Sequence, residues 1–201
     1  MDGDLAPLAA LGTLAQMHDT WLMSDDAHGL GVLADGKGSV FANGTKAPVD
    51  LQMGTLSKSL GSYGGYLCAS QAVIDLIKTR ARTLIYSTGL PPASIAAAIA
   101  ALDIIESDPD LTARPLANAQ AFTRALNLPL AASPIVPIVI GEETAALEAQ
   151  HILEREGFLV TAIRPPTVPV GTARLRLAFT AGHTAEDVTR LATIIRTRIL
   201  T

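Results

Sequence analysis

Met53-Gly54-Thr55-Leu56-Ser57-Lys58-Ser59-Leu60-Gly61-Ser62-Tyr63-Gly64-Gly65-Tyr66 sets one lysine among small and hydroxyl residues, with no other basic residue nearby. Glycines at 54, 61, 64 and 65 let the backbone come close to a bound group. The hydroxyls of Thr55, Ser57, Ser59 and Ser62 are available to phosphate oxygens. A lysine taken out of water loses its proton easily and can attack a carbonyl to form a Schiff base. The same letters also describe a glycine-rich turn carrying a solvated lysine, and the stretch alone leaves both readings open.

Upstream, Trp21-Leu22-Met23-Ser24-Asp25 reads as a short apolar strand, and Asp25-Asp26-Ala27-His28-Gly29-Leu30-Gly31 leaves it through a turn. In α/β sheets ligands collect beyond the carboxyl ends of strands, which is where Asp25 and His28 fall. A carboxylate can hold a proton on a ring nitrogen, and an imidazole can hydrogen-bond a phenolate oxygen. Singly, Asp25 also suits a cap or turn and His28 a structural hydrogen bond. The other histidines (His18, His151 and His183) lack metal-ligand spacing, so no metal site is expected.

The 201 residues suffice for one large domain or two small ones, and 49% are hydrophobic while only 4% are aromatic. That mix suits aliphatic strands under alanine-rich helices, an α/β architecture. A net charge of −4 without a basic stripe argues against nucleic acid. The single cysteine, Cys68, excludes an intrachain disulfide and fits a reducing cytoplasm, and its apolar neighbours predict a packed thiol. The acidic start Met1-Asp2-Gly3-Asp4 does not read as a signal peptide. The apolar run from Leu90 to Ile105 is broken by Pro91 and Pro92 and is short for a span, so no membrane association is expected.

Along the chain, residues 4–18 are expected as a helix capped by Asp4, 31–47 as an exposed loop, and 71–82 as a helix. Leu84-Ile85-Tyr86 reads as a strand and 93–106 as an alanine-rich helix. The turn cluster Ser107-Asp108-Pro109-Asp110 is the expected boundary between domains 1–107 and 108–201. Beyond it come a helix over 111–126, a strand over 135–140 near a sheet edge because of Pro137, and a helix over 142–156. A strand over 158–163 follows, then a rigid proline-rich loop and a strand over 174–179 with its arginines on one face. Thr184 is expected to cap a last helix. This half reads as α+β.

Asp25-Asp26-Ala27-His28-Gly29-Leu30-Gly31-Val32 followed by Thr55-Leu56-Ser57-Lys58-Ser59-Leu60-Gly61 resembles the α-oxoamine synthases. Tyr86-Ser87-Thr88-Gly89-Leu90-Pro91-Pro92, Arg164-Pro165-Pro166-Thr167-Val168-Pro169 and Thr172-Ala173-Arg174-Leu175-Arg176-Leu177 continue the likeness in order. The resemblance implies a pyridoxal 5'-phosphate (PLP) enzyme of fold type I: the C-terminal part of its α/β large domain plus a small α+β C-terminal domain. It implies that Lys58 holds the cofactor covalently and then transfers protons. Asp25 would pair with the ring nitrogen and His28 with the ring's phenolate oxygen, while Thr55 and Ser57 would meet the phosphate. Arg176 would grip the substrate carboxylate with Thr167 nearby, although strand alternation alone does not separate Arg176 from Arg174. Thr88 would approach the cofactor of a neighbouring subunit, which implies a homodimer.

The lysine stretch is most similar to members that condense L-alanine with pimeloyl-CoA or pimeloyl-acyl carrier protein, releasing carbon dioxide. Members using glycine or serine with other acyl groups share its lysine and aspartate motifs. The likeness covers about the C-terminal half of a family chain. It therefore implies an N-terminally truncated piece, either part of an acyltransferase or a non-catalytic remnant.

Overall fold

The computed structural model describes residues 2–200, which fall into two units. One is Ala6–Ala113; the other joins the residues up to Leu5 with those from Arg114 onward. The division lies inside a helix, six residues beyond the expected turn at 107/108. The turn residue Asp108 accepts the Leu111 N–H at 2.9 Å and so starts the next helix. Thr112 is buried, and a side chain at Gly36 would sit 3.2 Å from its methyl. The first turn of that helix thus packs with what precedes it.

In the first unit, α1 (Leu8–Met17) leads to β1 (Met23–Asp25), a 3-10 turn at Ser39–Phe41, β2 (Leu51–Thr55) and β3 (Gly65–Cys68). Then come α2 (Gln71–Arg80), α3 (Arg82–Ile85), α4 (Pro92–Ser107) and the start of α5 (Pro109–Ala125). The sheet runs β1-β2-β3, with β1 parallel to β2 and β3 antiparallel to it. Parallel pairing carries Asp25 and Thr55 to the same sheet end.

Several expectations change here. Asp4 does not cap α1: Pro7 occupies the N-cap position, and the residue before a proline is driven out of the helical region. The stretch 31–47 is not an open loop, since Leu33, Val40 and Ala47 are buried and Val40 packs with Leu8 of α1. The expected strand at 84–86 is instead the one-turn helix α3 and its cap. The Leu84 and Ile85 amides bond back to Ala81, and no strand lies beside them among the described residues. Such short apolar runs have no periodicity that separates helix from strand. Cys68 is exposed rather than packed.

The second unit contains most of α5, then β4 (Ile135–Gly141), α6 (Glu143–Arg155), β5 (Thr161–Ile163), β6 (Ala173–Ala178) and α7 (Ala185–Arg198). Its antiparallel sheet has the order β4-β6-β5, so proline-bearing β4 lies at an edge as expected. β5 is shorter than predicted, because Phe158 and Val160 turn into the core before pairing begins. Phe122 (α5), Leu153 (α6), Leu175 (β6) and Ile195 (α7) are each 0% exposed. Burial of such a side chain contributes roughly 1.5–3 kcal/mol. The Phe122 and Phe179 rings meet at 5.2 Å. Thr184 caps α7, as its sequence predicts, and does so in a reciprocal box with Asp187.

Among the described residues, no helix is long and apolar enough to cross a membrane, and no cluster of three or more His, Cys, Asp or Glu suits a metal ion.

Candidate active site

The first unit gathers five of the expected residues where β1 and β2 end. Asp25 closes β1 opposite Met53. It is exposed, and its Oδ1 accepts the Ala27 N–H at 2.9 Å, which starts the turn bearing His28. Two residues past Met53, Thr55 ends β2 and opens the lysine turn.

That turn is tightly wired. Thr55 Oγ1 donates to the Gly64 carbonyl at 3.1 Å, and the Ser57 N–H donates to Thr55 Oγ1 at 3.1 Å. The two hydroxyls lie 2.7 Å apart. Since the Thr55 proton serves Gly64, Ser57 is the donor between them. Leu56 N–H bonds to the Gly64 carbonyl at 2.9 Å, Ser62 N–H to that of Leu56 at 2.8 Å, and Gly61 N–H to that of Lys58 at 2.9 Å. Ser59 Oγ donates to the Leu30 carbonyl at 2.7 Å and so ties the lysine turn to the His28 turn.

Lys58 itself is exposed, as are Ser57 and His28. This chain by itself does not take the lysine out of water, where the stretch alone left a desolvated and a solvated lysine both open. Thr88 lies exposed between α3 and α4. The donor set is an amine, a carboxylate, an imidazole and two adjoining hydroxyls. It fits a ligand with an aldehyde, a basic ring nitrogen and a phosphate.

Arg176 and Thr167 belong to the second unit. Arg174 and Arg176 share one face of β6, since Leu175 and Leu177 fill the core from the other. Their surroundings differ. Arg174 is buried, ion-paired with Asp2, and donates from Nε to the Thr172 carbonyl at 3.0 Å. Arg176 is half-buried at the sheet centre, in register with Pro137 and Thr161. Thr167 is exposed and donates its N–H to the Arg164 carbonyl at 3.0 Å, just after the cis Pro165-Pro166 bond.

Asp26, Gln52 and Tyr66 were not singled out from sequence. Asp26 is only 2% exposed and accepts from Ser39 and Gln52. Strand alternation was the signal for it: when Asp25 faces one way, its neighbour faces the other. Burial, and then the charge of Asp26, push the Tyr66 phenol up to about 12. A cavity of about 600 Å³, lined by Trp21, Lys46, Asp50, Gln52, Cys68 and Val73, opens at the opposite sheet end, away from this chemistry.

The aminotransferase class I and II family matches residues 1–195. The chain belongs to that family. An 8-amino-7-oxononanoate synthase from Methylocella silvestris is 69% identical over 196 residues, covering 98% of this chain and 56% of its relative. The chain spans about half the length of the curated relatives it matches. Among solved structures, a high-resolution SPT (serine palmitoyltransferase) with PLP matches at TM-score 0.90 and 27% identity, covering 96% of this chain and 51% of that one. The 8-amino-7-oxononanoate synthase of Francisella tularensis matches at TM-score 0.78 and 28% identity, covering 94% of this chain and 58% of that one. The two units therefore carry part of a fold type I architecture, and the homologues of this chain are PLP-dependent acyltransferases.

Proposed function

We propose that this chain is the lysine-bearing part of a PLP-dependent 8-amino-7-oxononanoate synthase, which joins L-alanine to a pimeloyl thioester with loss of carbon dioxide. The observation that carries this reading is 69% identity to a synthase of that name over nearly the whole chain. The serine palmitoyltransferase likeness, at 27% identity, supports the architecture and not the substrate. Sister activities (glycine C-acetyltransferase, 5-aminolevulinate synthase and serine palmitoyltransferase) are the alternatives that a substrate panel would separate. The pimeloyl group arrives on coenzyme A or on acyl carrier protein. The working form is a cytoplasmic homodimer, with Thr88 of each subunit serving the other's cofactor.

The cofactor supplies an electron sink for the carbanion left when the α-carbon loses a proton or a carboxylate. Asp25, an exposed carboxylate, would hold a proton on the ring nitrogen. His28 would donate to the ring's phenolate oxygen. Thr55 and Ser57 would turn their hydroxyls to the phosphate. Lys58 would hold the cofactor through its Nζ, and the same nitrogen would carry the substrate's α-proton. Arg176 pairs with the substrate carboxylate through a bidentate guanidinium, with Thr167 beside it. Arg176, half-buried at the centre of its sheet, is the arginine assigned to that task, whereas Arg174 is buried and ion-paired with Asp2.

The purified chain mixed with PLP is expected to develop a near-visible absorbance band, and borohydride should fix the cofactor on Lys58. Lys58→Ala should show neither. Equal labelling of Lys37, Lys46, Lys58 and Lys78 in the wild type would overturn selective binding by this chain.

A second reading follows from the exposure of Lys58: the chain is non-catalytic alone and gains activity when combined with the stretch its relatives carry beyond the matched half. Mixing it with that half of a relative, then assaying alanine, glycine and serine against several acyl thioesters, decides both activity and substrate.

A further inference from the structure

The carboxylate of Asp26 is enclosed on every side the structure describes. Oδ1 and Oδ2 accept the Ser39 N–H at 3.0 and 3.1 Å, and Oδ2 also accepts Gln52 Nε2 at 3.1 Å. A Cβ at Gly29 would lie 1.9 Å from Oδ1, and one at Gly38 1.9 Å from Oδ2. Two glycines thus press their backbone against the carboxylate, and Gly38 does so at φ +94°. The Asp26 backbone is equally committed. Its N–H donates to the Met53 carbonyl at 2.8 Å, and its carbonyl accepts Gly29 N–H at 3.0 Å and Leu30 N–H at 3.2 Å. One residue therefore clamps the strand end, the His28 turn and the Ser39 turn together.

The far end of the His28 turn reaches the lysine. Ser59 Oγ donates to the Leu30 carbonyl, and a Cβ at Gly31 would lie 2.7 Å from Ser59 Cβ. Ser59 adjoins Lys58, whose carbonyl accepts Gly61 N–H. A continuous path thus runs from the buried carboxylate through the His28 turn to the lysine backbone.

We propose that Asp26 and Ser59 are positioning residues: the caged carboxylate fixes the His28 turn, and the serine latch carries that constraint to the Lys58 turn. The amine is then held at a set distance from Asp25 and His28. The catalytic value of this coupling rests on the reading of Lys58 above, whereas the coupling itself does not.

Residue-resolved amide hydrogen exchange on the full chain without cofactor tests the coupling. Ser59→Ala removes an exposed hydroxyl and should raise exchange at Gly61 and Ser62 by about tenfold, as loss of one hydrogen bond does. Asp26→Ala should raise exchange at Ser39 and Leu30 and also at Gly61 and Ser62. Asp26→Asn keeps an oxygen for Ser39, with Gln52 turning its own oxygen to the new amide, and should restore most of the protection. Amides of Ala98 and Ile99, in α4 of the same unit, report whether the fold survives. Asp26→Ala loosening only Ser39 and Leu30, or Ser59→Ala leaving Gly61 and Ser62 unchanged, would overturn the proposal. If Asp26→Ala unfolds, the Ser59 variant decides alone. In parallel, the borohydride-fixed fraction at Lys58 should fall in both alanine variants. Failure of wild type to fix PLP there would count against the function proposed above, while exchange still decides the coupling.

Discussion

At the scale of single residues, Tyr66 shows how a glycine and an aromatic can define each other. The two face one another across β2 and β3, and a Cβ at Gly54 would lie 2.5 Å from the phenol oxygen. The ring thus fills the recess that glycine leaves, a cross-strand arrangement that lengthens apolar contact where one side chain is missing. Its hydroxyl is buried with no hydrogen-bond partner among the described residues. The phenol is pushed from 10.0 up to about 12, by burial first and by Asp26 second. Between those values the unfolded chain has lost the phenolic proton and the folded chain keeps it. Stability therefore falls as pH rises through that window. Tyr66→Phe is expected to flatten that alkaline loss and leave neutral-pH stability equal or slightly higher, because an unsatisfied hydroxyl disappears. Urea unfolding at several pH values measures both. Gly54 was read as room for a ligand, whereas the structure fills that room with Tyr66 from the same stretch.

At the scale of elements, legibility followed the strength of local signals. The N-terminus of α7 was readable because Thr184 stands before Glu186 and Asp187, and Thr184 caps the helix as expected. The Thr184 hydrogen bonds hold the Asp187 carboxyl below its usual range, so that contribution is present at neutral pH and lost as pH falls through the carboxylate range. Thr184→Ala should cost about 1 kcal/mol, the usual loss for an N-cap, and should move the Asp187 titration up toward its ordinary value. Thermal unfolding with NMR titration of the carboxyl follows both effects. β6 was equally plain, since Leu175 and Leu177 alternate with Arg174 and Arg176. α3 was not readable, because four residues carry no period. The ion pair of Arg174 was also hidden, because Asp2 reaches it from 172 residues away.

At the scale of the whole molecule, the sequence motifs located the candidate site but not its surroundings. Asp25, His28, Thr55 and Lys58 could be picked out because the chemistry needs those residue types in that order. Asp26 could not, because its carboxylate holds backbone and any strand end offers such a residue, and Ser59, expected as a hydroxyl for phosphate, instead donates to the Leu30 carbonyl. Apolar side chains also stand in water: Met17 is 76% exposed, Trp21 64%, Met23 54% and Leu14 51%. A large exposed apolar area marks an interaction surface. Trp21 is the single tryptophan, so the fluorescence of the chain reports its surroundings alone. Its emission is expected to be red-shifted and open to iodide quenching in the isolated chain, then blue-shifted and protected when the remaining half of a relative is added. Protected emission at all concentrations without that addition would mean that other copies of the chain already cover it.

Cys68 was expected to be hidden and is exposed instead, on the wall of the hollow that Trp21 also lines. With one thiol and one indole, the protein carries its own optical ruler. A maleimide dye on the thiol can accept energy from the indole, and neither attachment point belongs to the residues proposed for catalysis. Assembly, cofactor loading and the strand-end substitutions can therefore be followed in one cuvette, without introducing a foreign residue.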